Sequence, residues 1–131
     1  MNNFLPTDYQ AFIHTSRYAR WLDTDGRRES WSETVSRYID NVVRKVAAIP
    51  GIQASKIEEA ILSLDVMPSM RAMMSAGPAL DRDNTAGFNC SYLPVDDPKS
   101  FDEAMYILLC GTGVGFSVER QFISKLPEIP E

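Results

Sequence analysis

FNCSYLPVDDPKSFDEAMYILLCGTGVGFSVER, residues 88–120, is the stretch whose reading decides the fold. Phe88, Cys90 and Tyr92 alternate with Asn89, Ser91 and Leu93, which predicts a strand of about seven residues ending at Pro94. Asp97 reads as a helix N-cap with Pro98 at the first helical position. Behind it Phe101, Met105, Leu108 and Leu109 recur at helical spacing and are predicted to be the buried face. Gly111-Thr112-Gly113-Val114-Gly115 closes that helix, and Phe116–Arg120 reads as a second strand. Strand, helix and strand within about 30 residues predict a parallel pair joined by a right-handed crossover.

Upstream, the chain reads as helical. Ser30-Trp31-Ser32-Glu33 fits a capping box, and Trp31, Val35, Tyr38, Val42 and Val46 follow at helical spacing, widened by Ile39 and Val43. Pro50-Gly51 stops this helix. Ser55-Lys56-Ile57-Glu58 reads as a second box, with Ile57, Ile61 and Leu64 on one face, and the two helices are expected to pair antiparallel. The first 20 or so residues, with the turn Asp23-Thr24-Asp25-Gly26, read as a short element followed by a loop. Met, Pro, Gly and Asp crowd residues 66–90, predicting a helical turn after Pro68 and a loop from Gly77 to Gly87. The SKLPEIPE tail has no partner in the sequence and reads as an interrupted connection. The fold class expected is α+β, divided into a helical region, 1–84, and a strand-bearing region, 85–131.

Composition narrows the function classes. With 131 residues, 44% apolar and 24% charged, the chain has the make-up of one ordinary globular domain. No apolar run approaches the roughly 18 residues of a membrane span, and the N-terminus lacks the layout of a signal peptide. A net charge of −5 argues against polymeric nucleic acid as a partner, because nothing here would displace counterions from a phosphate backbone. Two cysteines and one histidine, His14, are too few for a disulfide scaffold or a structural zinc site, and a reducing cytoplasm is the expected compartment. Taken alone, Cys90 and Cys110 read as small core residues, His14 as structural, the Met67, Met70, Met73, Met74 cluster as packing, and Asp81-Arg82-Asp83 as a solvated loop. Three glycines between 111 and 115 exceed what one helix cap requires, leaving open a close approach of ligand to backbone.

Residues 68–120 as a whole, together with RYARWLDTDGRRESWSETVSRYIDNV (17–42), resemble the adenosylcobalamin-dependent ribonucleoside-triphosphate reductases, the class II ribonucleotide reductases. The resemblance implies a ten-stranded α/β barrel of which this chain would supply the N-terminal helices and the opening strand–helix–strand, an incomplete part. It implies thiyl-radical reduction of a ribonucleoside triphosphate, with adenosylcobalamin as cofactor and a thioredoxin-type reductant. Cys90 matches the cysteine of the first barrel strand, one of the redox pair, and this displaces its reading as core filler. Asn89 falls where the family contacts substrate, and Thr112-Gly113 match the glycine-rich backbone lying against the nucleotide. The finger-loop cysteine with its Asn-x-Cys-x-Glu pattern, the second active-site redox cysteine and the C-terminal cysteine pair have no counterpart here. The chain is therefore expected to be inactive without the remaining barrel, as a truncated product or one part of a split enzyme. A large chain of the metal-radical class I reductases, or a non-catalytic nucleotide- or protein-binding module, are the alternatives.

Overall fold

The computed structural model describes residues 5–46 and 49–129, in two compact units, Met1–Asp81 and Arg82–Glu131. The first unit opens with helix α1, Asp8–Ile13, which runs on as a π turn through His14–Tyr18. Its start is a capping box the sequence reading missed: Thr7 accepts from the Gln10 N–H, and Gln10 Oε1 accepts from the Thr7 N–H. The segment read as a loop is a small antiparallel hairpin, β1 (Trp21–Leu22) and β2 (Arg27–Arg28), turning at Gly26.

Helix α2, Trp31–Tyr38, begins at the expected box, with Ser30 accepting from the Glu33 N–H and Glu33 from the Ser30 N–H at 2.7 Å. A π turn, Ile39–Val43, and a last short turn α3, Arg44–Val46, extend it. The wider turn keeps residues four apart in line, so Trp31, Val35, Ile39 and Val43 form the buried row while Val46 stands exposed. Helix α4, Ala54–Leu62, starts earlier than predicted. Gln53 precedes it without a side-chain cap, so Ser55 and Glu58 lie inside the helix and their box does not form. Trp31 Nε1 donates to the Leu62 carbonyl and Ser36 to Glu58, a reversed order that sets α2 and α4 antiparallel. Ile61 and Met73, the latter from helix α5 (Met70–Ser75), complete the core. The expected loop after Gly77 instead holds helix α6, Pro78–Arg82, with Pro78 at its first position, and a 3-10 turn, Asn84–Gly87.

A polar cluster is buried beside this core. Glu29 takes a two-pronged ion pair from Arg37 at 2.8 and 2.9 Å, plus bonds from the Arg20 N–H and the Thr34 hydroxyl. Arg37 also donates to the carbonyls of Met73, Ala76 and Tyr18, tying three segments to one guanidinium.

In the second unit, β3 (Cys90–Pro94) and β4 (Gly113–Ser117) form the expected parallel pair, joined through helix α7, Lys99–Leu109, but β4 starts inside the glycine run and ends at Ser117 rather than spanning Phe116–Arg120. Pro98, predicted at the first helical position, stands at the N-cap, and Asp97 just before it accepts from the Lys99 N–H at 2.8 Å. The predicted buried face is corrected, however: Phe101, Met105 and Leu108 are exposed, and Leu109 is 79% exposed. Ser100 is buried, and Ala104 and Ile107 are half-buried on the same side, the side turned to the strands. A two-stranded sheet can cover one side of a helix, and this helix has two apolar sides. A final short helix, α8 (Arg120–Ile123), begins at the last residue of the strand predicted from Phe116 and ends where the SKLPEIPE tail starts.

Candidate functional site

The face of the β3–β4 pair that carries Cys90 is open. Cys90 pairs with Gly113 and Tyr92 with Gly115, so a thiol and a phenol sit beside two positions without side chains. Cys90 and Tyr92 are both exposed, as are both glycines. The glycine run divides by role. Gly111, at φ +84°, is the left-handed residue that ends α7. Gly113 and Gly115 have no left-handed φ and lie within a strand, where glycine ordinarily weakens pairing. A Cβ at 113 would lie 3.4 Å from the Asn89 carbonyl oxygen and 4.0 Å from Cys90 Sγ; one at 115 would lie 3.6 Å from the Ser91 carbonyl oxygen. The chain itself thus has room for alanine at both positions. The bareness serves whatever approaches this face from outside.

Thr112 holds the approach in place. It is 2% exposed, and its hydroxyl reaches the Thr85 carbonyl at 2.7 Å and that of Phe88 at 3.0 Å. Its N–H donates to Ile107, and the Gly113 N–H donates to the Asn89 carbonyl at 2.9 Å. Thr112 and Gly113 therefore fix the backbone that delivers Asn89 and Cys90, and the Thr112 hydroxyl faces inward. Asn89 is exposed at the mouth of β3.

Asp83, predicted to be in a solvated loop, is a hub of this unit instead. It accepts from the Tyr106 hydroxyl at 2.6 Å and the Thr85 N–H at 2.8 Å, bonds that hold its carboxyl down at about 2. The same carboxylate, with Cys110 behind it, pushes the Tyr106 hydroxyl up to about 12. The legible signal was Asp83-Asn84-Thr85, an Asx turn; Tyr106 as its partner, 23 residues on, carried none. Cys110 is half-buried, its Sγ 3.9 Å from Asp83, away from the open strand face in its bonding. Both cysteines are free, and no group of three or more metal-ligating side chains occurs among the described residues.

No protein-family model matches the chain. Curated relatives do. The adenosylcobalamin-dependent ribonucleoside-triphosphate reductase of Lactobacillus leichmannii is 26% identical over 144 aligned positions, spanning 86% of this chain and 20% of that protein. The enzyme of the same name from Lacticaseibacillus paracasei is 29% identical, over 86% of this chain and 19% of its own. A crystal structure of a B12-dependent class II ribonucleotide reductase superposes with a TM-score of 0.74 at 26% identity, covering 89% of this chain and 21% of that one. This chain is homologous to part of these reductases. It spans about a fifth of the length of the relatives it matches. These likenesses bear out the resemblance read from residues 17–42 and 68–120, and the mixed helices and small sheets agree with the α+β class. Among the described residues no helix is long and apolar enough to cross a membrane.

Proposed function

We propose that this chain is the N-terminal part of an adenosylcobalamin-dependent ribonucleoside-triphosphate reductase, with residues 1–84 its helical region and 85–131 the opening strand–helix–strand of a ten-stranded α/β barrel. The observation that carries this reading is the Cys90 thiol on an open strand face opposite a side-chain-free Gly113. Such a ribbon lets a sugar ring lie against backbone within reach of sulfur. Cys90 and a second thiol, outside the described residues, then supply the reduction. The 2′ carbon–oxygen bond breaks, the hydroxyl leaves as water with one thiol hydrogen, and the carbon takes the other. The two sulfurs join as a disulfide, which a thioredoxin-type dithiol in the cytoplasm reduces again. Asn89 contacts substrate at the mouth of β3, and Thr112 and Gly113 act through backbone, holding that mouth and flooring the site.

Two concavities among the described residues, of about 300 and 400 Å³, lie in the first unit and are small beside a cobalamin, since a drug-sized ligand alone takes roughly 300–1,000 Å³. The cofactor's residues belong to the rest of the barrel, and what this chain brings is the reductant side of the reaction.

Complementation tests this. The chain mixed with the remaining part of the barrel is expected to form deoxynucleotide, with Cys90→Ser reducing turnover to background. Cys110→Ser is expected to keep activity, at a packing cost of about 1–2 kcal/mol. Undiminished turnover in Cys90→Ser removes the redox assignment.

A further inference from the structure

A groove of about 300 Å³ in the first unit has a built polar point that the reductase reading does not use. Its walls include Leu5, Ile13, Tyr18, Trp31 and Met67, and His14 lies among them. His14 is 6% exposed and stands edge-on to Trp31, ring centroids 5.5 Å apart at 87°.

The bonding around His14 determines which nitrogen carries hydrogen. Glu29, ion-paired with Arg37, accepts only, so the Thr34 hydroxyl spends its hydrogen on Glu29 at 3.0 Å. The Thr34 oxygen then accepts, at 2.9 Å, from His14 Nε2–H. In the neutral ring this leaves Nδ1 as a bare lone pair. Nδ1 has no hydrogen-bond partner among the described residues, and no side-chain nitrogen or oxygen among them is both sealed and unbonded. An unbonded Nδ1 is therefore not sealed, and His14 is one of the residues that line the groove. Leu64, on the same wall, is the left-handed residue that ends α4, where the Asp65 N–H donates to the Ala60 carbonyl.

We propose that the groove is a binding site for a small, flat, uncharged ring compound that donates one hydrogen bond, to His14 Nδ1. Aromatic and aliphatic walls suit the ring, and no lysine or arginine lines the groove to take an anion. Indole is the matching probe, and 1-methylindole, nearly the same shape without the donor, is its control. This site is independent of the redox assignment of Cys90.

His14 is the chain's sole histidine, so ¹⁵N spectra of the imidazole report it alone in the intact protein. The free protein is expected to show Nε2 protonated and Nδ1 bare. Indole is expected to bind with a Kd of roughly 1 mM and move the Nδ1 signal. 1-Methylindole is expected to bind about tenfold more weakly and leave that signal in place. Met67→Lys, a change at an exposed rim position, is expected to weaken indole severalfold without altering the free imidazole spectrum. A protonated Nδ1 in the free protein, equal binding of the two indoles, or no binding of either overturns the proposal.

Discussion

Gly113 is the residue where strand geometry and chemistry meet most closely. Its φ is ordinary, and a methyl there meets Asn89 O at 3.4 Å and Cys90 Sγ at 4.0 Å, slightly tight on the first and normal on the second. Gly113→Ala is therefore expected to change stability by no more than about 1 kcal/mol, the small contact cost being offset by the loss of glycine's backbone entropy. The same methyl stands beside the sulfur on the open face. Alkylation of Cys90 by a bulky maleimide is expected to slow severalfold, and turnover of the complemented reductase to fall further than alkylation does. Thermal melts with the two rate measurements check this; a variant that melts far below the parent, or alkylates as fast, shows that the glycine serves the chain rather than a visitor. The sequence displayed the glycine surplus but not its division. Gly111 as a cap and Gly113 as a bare floor are distinguished by φ and register, neither of which spacing encodes.

Among the elements, what could be read ahead was what local chemistry dictates. The box at Ser30 formed because Ser30 and Glu33 bond within one turn. The similar letters at Ser55 did not cap, because tertiary packing pulled α4 into a start at Ala54, with Ile61 in the core. The period of α7 was legible, but its buried side was not: Phe101 and Leu109 are as apolar as a core face and still stand exposed. Least legible was the Glu29–Arg37–Thr34–His14 cluster, assembled from the π turn after α1, from α2 and from the residue after the hairpin. Its consequence is a pH dependence with a definite sign. Burial lowers the His14 pKa below 6.5, Glu29 pulling it up and Arg37 down. As pH falls below 6.5 the unfolded chain takes up a proton that the folded one refuses, so stability declines. For Glu29, burial pushes upward, but bonds from Arg37, the Arg20 N–H and Thr34 outweigh it and hold the carboxyl below 4.5. Its contribution is present above 4.5 and is lost as pH falls through the lower folded value. Both slopes run the same way. Urea unfolding followed by tryptophan fluorescence in a Trp21→Phe background, where Trp31 alone reports, is expected to show stability dropping from pH 6.5 downward, by at most about 1.4 kcal/mol per pH unit from the histidine alone. A flat profile between about pH 6.5 and about pH 5 contradicts a buried neutral His14.

At the scale of the whole molecule, the two units differ in how much core each owns. Trp31, Val35, Ile39, Val43, Ile61 and Met73 form a connected buried cluster in the first. In the second, the buried apolar residues among those described are Leu93 and Val95, while Phe88, Tyr92, Phe101, Leu109 and Phe116 stand exposed. Two strands and their crossover helix bury too little apolar surface to offset the backbone entropy of ordering them. A chain spanning about a fifth of its relatives' length, and carrying two strands of a proposed ten, is expected to leave such a unit poorly protected on its own. Native-state hydrogen exchange is thus expected to find the α2 amides protected by the full stability of the first unit. The β3 and β4 amides, including the Gly113 N–H bonded to Asn89, are expected to exchange orders of magnitude faster. Adding the remainder of the barrel is expected to slow them to near the α2 rates, because Leu109 and Phe116 then leave water and the outer strand edges find partners. Strong protection of residues 90–117 without any addition identifies the second unit as self-sufficient, and with it a protein whose Cys90 face was never meant to be completed.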